Sequence, residues 1–230
     1  MAQIKTKEQI IKIKKACNIT DNIFSLILKQ DLRNMTEQDL CDFILLQIKK
    51  RGLKPSFPPI VTSGVRAGNE IHPKSTSSLL SGFVIIDLGV VYEKYMSDMT
   101  RTIFVGMPTV EDELLYSYIL RGELLGIKES RIGIHCSSVD NVVRESLGEY
   151  KKYFIHMLGH GVGTKIHEEP KLYFKLDKPI LKENMIITIE PGIYIKRKCG
   201  IRIEDTCLIT KKGCIPLTKS PKELIIINKI

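Results

Sequence analysis

Four acidic residues, two standing alone in apolar runs and two on the arms that return from them, constrain the fold of this chain more than any other feature. They are Asp87 in GFVIIDLG, Asp98 at the head of SDMTRTIFVG, Glu190 in MIITIEPG and Glu204 in IRIEDTCLIT. A carboxylate inside an apolar strand is costly unless it is paired or coordinated. The four fall into two frames. Asp87 and Glu190 are each followed two residues later by glycine, Asp98 lies 11 residues after Asp87, and Glu204 lies 14 after Glu190. Strands of a hairpin lie ~5 Å apart and facing side chains share one side, so each pair can address one point.

Each frame is preceded by two helical patterns. Residues 6–29 read as an amphipathic helix: Thr6 and Gln9 have capping-box spacing, and Ile10, Ile13, Cys17, Phe24 and Ile27 recur near helical period. A second helix is expected from Thr36 to Arg51, ending in a basic last turn and Gly52. Lys54–Pro59 is extended, because three prolines forbid helix. Ile60–His72 reads as a strand leading into a polar loop, and Gly82–Gly89 and Ser97–Gly106 read as strands. The pattern then restarts with helices from Thr109 to about Gly126 and from Ser137 to Leu147. Strands at Met185–Gly192, Ile201–Thr210 and Ser220–Ile227 follow. The repeat implies one domain of two similar halves around one site.

Between the second helices and strands lies Met157–Pro170, MLGHGVGTKIHEEP. Gly159, Gly161 and Gly163 read as backbone that cradles something closely, beside His160 and His167. Four clustered carboxylates repel one another, and two divalent cations balance their charge. One imidazole, His160, completes a mostly oxygen donor set, which suits manganese or another borderline divalent metal better than a thiolate zinc site. Two such metals can share a bridging hydroxide and clamp a substrate carbonyl.

Composition narrows the rest. At 230 residues, 43% hydrophobic and 27% charged, the chain has enough to bury a sizeable core. It has no apolar run of the ~20 residues that a membrane span needs and no signal-peptide core, so a cytosolic protein is expected. The six cysteines form no CxxC pair, and reduced thiols are expected. The net charge of +9 is spread along the chain, with clusters at Lys12–Lys15, Lys49–Arg51 and Lys196–Lys198. Such runs read as solvated faces, and nucleic-acid binding is disfavoured.

Taken together, IIDLG, SDMTRT, GHGVGTKIHEEP, TIEPGIYI and GIRIED resemble the pita-bread metalloaminopeptidases: methionine aminopeptidase, aminopeptidase P and prolidase. The resemblance covers essentially the whole chain. It implies an α+β pita-bread fold, two pseudo-symmetric halves each with helices and an antiparallel hairpin around a central dinuclear site. It further implies that Asp87 chelates one metal, Asp98 and Glu204 bridge both, and His160 and Glu190 hold the second. The two ions would be manganese or cobalt, with iron or zinc also compatible. Glu190 would shuttle the proton of the attacking water, and His167 and His72 would stabilise the tetrahedral intermediate. His156, Tyr194 and Arg202 resemble substrate-binding positions of the prolidase and aminopeptidase P branch, and Arg202 would also orient a bridging acid.

The resemblance thus implies an exopeptidase cleaving Xaa-Pro bonds at peptide N-termini, with a peptide as partner and a monomer favoured. Two departures stand out. The N-terminal domain usual in that branch is absent, and Met157 stands where the branch usually has glycine. Two alternatives follow: a methionine aminopeptidase, matching the short chain, and a non-catalytic module using the positive charge to bind nucleic acid or ribosome. His135 is assigned no role.

Overall fold

The computed structural model describes residues 4–176 and 179–228. Its helices begin where the caps place them. In α1 (Lys7–Ile27), the Thr6 hydroxyl accepts the Gln9 N–H while the Gln9 side chain accepts the Thr6 N–H. The same reciprocal box, Thr36 with Asp39 and Thr109 with Asp112, opens α2 (Glu37–Lys50) and α3 (Val110–Glu129). Each box satisfies two N–H groups that the helix start leaves without partners. The fourth helix, α4, spans Cys136–Ser146.

The strands follow in order: β1 (Lys54–Pro55), β2 (Ile60–Ser63), β3 (Gly82–Leu88), β4 (Val90–Tyr92), β5 (Tyr95–Met96) and β6 (Met99–Val105) in the first half. The second half holds β7 (Gly159–Gly161), β8 (Glu168–Leu172), β9 (Ile186–Ile189), β10 (Gly192–Ile195), β11 (Cys199–Arg202), β12 (Asp205–Thr210) and β13 (Gly213–Pro216). A last short strand, β14 (Ile226–Ile227), returns to the first half. One sheet runs β14-β6-β3-β2 and the other β13-β12-β9-β7-β8. Side chains of α1 and α2 pack with the first sheet in one apolar cluster. Side chains of α3 and α4 pack with the second in another.

The duplication expected from the acids is visible in register. β3 pairs antiparallel with β6, Asp87 opposite Thr100, and β9 pairs antiparallel with β12, Ile189 opposite Asp205. Between the partners of each pair the chain throws out a smaller hairpin, β4–β5 in one half and β10–β11 in the other. Asp98, Glu190 and Glu204 therefore lie at the breaks where large hairpin gives way to small.

The structure corrects several boundaries. Ile201–Thr210 is not one strand: β11 pairs back on β10, the chain turns at Ile203–Glu204, and the Glu204 N–H bonds the Thr100 carbonyl of the other half. The polar part of Ser220–Ile227 is tied down by side chains instead of pairing as a strand. Asp21 accepts the Ser220 N–H and Arg101 donates to the Ser220 carbonyl. Helix α3 runs through Gly126 instead of stopping there, because that glycine is a contact face. A Cβ on Gly126 would lie 2.7 Å from Ile189 Cγ2. β2 is shorter than expected and gives way to a turn of helix at 64–68.

A buried ionic knot joins the halves. Arg101 on β6, 1% exposed, donates to Asp205 on β12 and to the Glu204 carbonyl at 2.6 Å. Lys222 bridges Asp205 and Glu123. Burial pushes Asp205 up, but Arg101 and Lys222 outweigh it and hold the carboxyl at about 2. All six cysteines are free thiols. No helix among the described residues is long and apolar enough to cross a membrane.

Candidate active site

The four acids and His160 converge on one cavity of about 620 Å³. Asp98, His160 and Glu204, all buried, each offer a donor atom within 4.8 Å of one another. Glu190 Oε1 lies 3.3 Å from His160 Nε2, and Asp87 lines the same cavity. Asp87 Oδ1 is buried and has no hydrogen-bond partner among the described residues. The first half thus supplies two carboxylates from β3 and the start of β6. The second supplies two carboxylates and an imidazole from the ends of β9, β12 and the middle of β7.

Local bonding fixes His160, Glu190 and Glu204. The Thr188 hydroxyl accepts the His160 N–H and donates to Glu190 Oε1. The Thr100 hydroxyl donates to Glu204 Oε2 at 2.7 Å. His160 Nδ1 lies 3.1 Å from the Gly161 carbonyl, which fixes one ring proton on Nδ1, and Nε2 faces the carboxylates, where it donates to Glu190 while protonated and can serve as a ligand once that proton is lost. The flanking glycines serve packing, not a ligand cradle. A Cβ on Gly159 would sit 2.0 Å from the Thr188 carbonyl oxygen, and one on Gly161 2.4 Å from that of Glu169. β7 fits between its two neighbours only because those side chains are missing.

The electrostatics are those of crowded anions. Burial and then Glu204 push Asp98 well above the ordinary carboxylate range. Burial and then Glu190 do the same to Glu204. Glu190 goes the other way: burial raises it, but the hydrogen bond and charge of His160 pull it down to about 2. His160 is correspondingly raised against the opposing effect of burial.

Tyr194 and Arg202, expected among the substrate contacts, do not line the cavity. Arg202 is 1% exposed and lies behind the acids. Its guanidinium donates to Asp87 Oδ2 at 2.7 Å, to the Tyr194 hydroxyl at 2.6 Å and to the Thr100 hydroxyl at 3.1 Å. Thr100 passes that bond on to Glu204, so one cation sets two of the four carboxylates. Tyr194 is 3.1 Å from His156 Nε2, while His156 Nδ1 meets the Met157 carbonyl. The tyrosine O–H therefore donates to a neutral imidazole, in keeping with burial that pulls His156 down to about 4.

His72 and His167 both stand at the rim and line the large cavity and a smaller one of about 300 Å³. His167 packs edge-on against His160 with centroids 4.3 Å apart. Partial burial lowers both His72 and His167. His156 and Met157 face the smaller cavity. His135 lies away from both, at the start of α4. Three contributors escape sequence reasoning. Phe57–Ile60 forms an apolar wall of the large cavity, where the sequence shows only a proline-rich connector. Lys171 lines the small cavity, opposite His160 in the β7–β8 register. Arg144 of α4 donates to the Phe154 and His156 carbonyls and holds that segment in place.

This donor set and fold meet a family pattern: a model of metallopeptidase family M24 matches residues 11–211. The chain belongs to that family. It is 41% identical over 226 residues to an uncharacterized peptidase of Methanocaldococcus jannaschii. It is 40% identical over the same length to the Xaa-Pro dipeptidase of Pyrococcus furiosus, covering 96% of this chain and 65% of that protein. The prolidase of Thermococcus sibiricus superposes with a TM-score of 0.93 at 37% identity, covering 98% of this chain and 62% of that one. The X-Pro aminopeptidase of Thermotoga maritima gives 0.92 at 33% identity, covering 99% and 65%. The pita-bread fold is therefore established, and the chain spans 65% of the length of the curated relatives it matches.

The residues fit the divalent metal that the family name implies. The donors are hard oxygens with one imidazole, one carboxylate oxygen is orphaned, and Arg202 alone among the described side chains bonding them is a fixed cation. Because Asp98 and Glu204 are raised without metal, they hold protons that an incoming ion must displace. Metal affinity is thus expected to rise with pH as those carboxyls ionise, with net proton release on binding. Calorimetry of Mn²⁺ binding to chelator-stripped protein, in buffers of different ionisation enthalpy, reads this directly. Binding without proton release would contradict the assignment.

Proposed function

We propose that this chain is a dinuclear-metal exopeptidase that hydrolyses the N-terminal bond of Xaa-Pro peptides. The observation that carries the reading is the convergence of four carboxylates and one imidazole from two pseudo-symmetric halves on a single cavity. The likeness to proteins named Xaa-Pro dipeptidase and prolidase supports the substrate class.

Asp87 would hold one ion, Asp98 and Glu204 would bridge the two, and His160 and Glu190 would hold the other. Manganese or cobalt suits this donor set. Bound there, the ions supply Lewis acidity and a nucleophilic water at neutral pH. The chain's own residues do the rest. Glu190 Oε1 accepts the Thr188 hydroxyl, leaving Oε2 to take the proton of the attacking water and return it to the leaving nitrogen. The rim imidazoles of His167 and His72 donate to the scissile carbonyl as it gains charge. Arg202 keeps Asp87 and Glu204 aimed, and Tyr194 couples that support to His156 beside the substrate. The Phe57–Ile60 wall suits the N-terminal residue. Lys171, at the small cavity, suits the terminal carboxylate of a dipeptide.

The test is a peptide panel. The protein is stripped with chelator, restored with Mn²⁺ or Co²⁺, and offered an Xaa-Pro dipeptide, a longer Xaa-Pro peptide and a Met-Ala peptide. Metal-dependent cleavage of the Xaa-Pro members, the dipeptide fastest, is expected. Cleavage of the Met-Ala peptide alone would overturn the substrate assignment in favour of methionine removal.

A further inference from the structure

We infer that Glu37 is a positioning residue that closes the loop carrying His72 over the cavity. Glu37 is the first residue of α2, where an acid ordinarily complements the helix dipole from the surface. Here it is fully buried, with no exposed surface. Its carboxylate accepts five hydrogen bonds, all from the two ends of one loop. Oε1 takes the Ser63 N–H at 2.8 Å and the Ser63 hydroxyl at 3.2 Å. Oε2 takes the Thr76 N–H at 3.0 Å, the Thr76 hydroxyl at 2.8 Å and the Arg66 Nε–H at 3.3 Å. Arg66 in turn donates to the Lys74 carbonyl, two residues beyond His72.

The backbone repeats the closure. The N–H groups of Glu37 and Gln38, which the helix start leaves without partners, bond the Ser78 and Thr76 carbonyls at 2.9 Å. The segment from Gly64 to Ser75 is thereby a closed span whose two ends meet on the Glu37 carboxylate, with the Ser75 hydroxyl also bonded to the Val61 N–H and carbonyl. At its tip, His72, Pro73, Lys74 and Ser75 line the large cavity opposite Glu190 and His167. His72 itself makes no hydrogen bond among those described; the loop before it is tied by a long 3.4 Å bond from Arg202 to the Ile71 carbonyl and by Asn69 accepting the Arg197 N–H, and the stretch after it is set by the Glu37 closure. Only an acceptor-only side chain serves. Each oxygen faces two or more donors, and an amide there would set N–H against N–H.

The inference rests on His72 acting as a donor to the substrate carbonyl, and the test separates the two. Glu37→Gln, His72→Ala and the double variant are assayed as metal-loaded full chain on an Xaa-Pro dipeptide. Bound metal and melting temperature are read alongside. Glu37→Gln is expected to lower kcat roughly 10- to 100-fold, the cost of a displaced catalytic contact. Bound metal should match the unsubstituted protein, with KM little changed. The double variant should be no slower than His72→Ala, because both changes remove the same contact. Losses that multiply in the double variant would overturn the inference, as would a Glu37→Gln protein with full kcat. If His72→Ala alone costs nothing, the donor reading fails, and the inference with it. Should Glu37→Gln fail to fold, Thr76→Val deletes one loop-side donor and must show the same non-additivity with His72→Ala; additive losses there would equally overturn it.

Discussion

Asp98→Ala is expected to abolish peptide hydrolysis while leaving the fold intact. The side chain sits at the centre of the donor cluster, with His160 Nε2 3.7 Å away and Glu204 within the same 4.8 Å set. In the proposed two-ion site, its removal would take a ligand from both ions at once. The loss in kcat/KM should exceed roughly 100-fold, the upper range for losing a mere supporting partner. Stability should move the other way or hardly at all in stripped protein. Asp98 is raised by burial and by Glu204, so its charge is a cost to the metal-free fold. Deleting it relieves that repulsion as pH rises above the ordinary carboxylate range, where the unsubstituted residue would have to ionise. Assay and thermal melts of the stripped and loaded variant check both halves. Undiminished hydrolysis by Asp98→Ala would remove the metal cluster from the mechanism.

Arg202→Met is expected to cost the most in stability. The guanidinium is buried with four polar partners, and its loss strands the Asp87 carboxylate. Breaking a buried pair by removing one partner costs about 3–5 kcal/mol. The pH dependence identifies the cause. Burial already raises Asp87, with Arg202 as the chief opposing influence. Without the arginine its folded-state carboxyl rises further above the unfolded value. A raised carboxyl binds its proton more tightly in the folded state, so the deficit is small in acid and grows as pH climbs through the raised pKa. Melts of stripped protein should show a larger deficit at about pH 8 than at about pH 5. A deficit that ignores pH would mean lost packing, not a stranded charge.

Asp87 and Glu190 were legible because each interrupts an apolar run, an interruption visible in one dimension, and Asp98 and Glu204 because each lies on the arm that returns from it. The capping box at Thr6 and the helix starts at Thr36 and Thr109 were equally local, though the boxes with Asp39 and Asp112 show only in the structure. What escaped depends on distant pairing. Arg202 reads as a substrate contact that also orients an acid; the second role is found, but its direct partner Asp87, 115 residues away in sequence, and its place behind the acids appear only in the structure. Lys171 gains meaning only from its register with His160, which no alternation in KIHEEPKLYF announces. Glu37 looks like an ordinary first-turn acid, and its five donors come from a loop that the sequence marks only as polar. The glycines around His160 were legible as necessary but not as to why: the cause is the crowding of β7 by the Thr188 and Glu169 backbone. The break at Glu204 was hidden because β11 and β12 are each apolar and the turn between them carries no glycine or proline.

The most direct test of the proposed two-ion site is a titration of chelator-stripped protein with Mn²⁺, in which bound metal and the rate on an Xaa-Pro dipeptide are followed together. The account predicts no hydrolysis without metal and a rate that reaches its maximum as two ions per chain are bound. Full hydrolysis by the stripped protein, or metal bound to the cluster with no hydrolysis of any peptide, would contradict it.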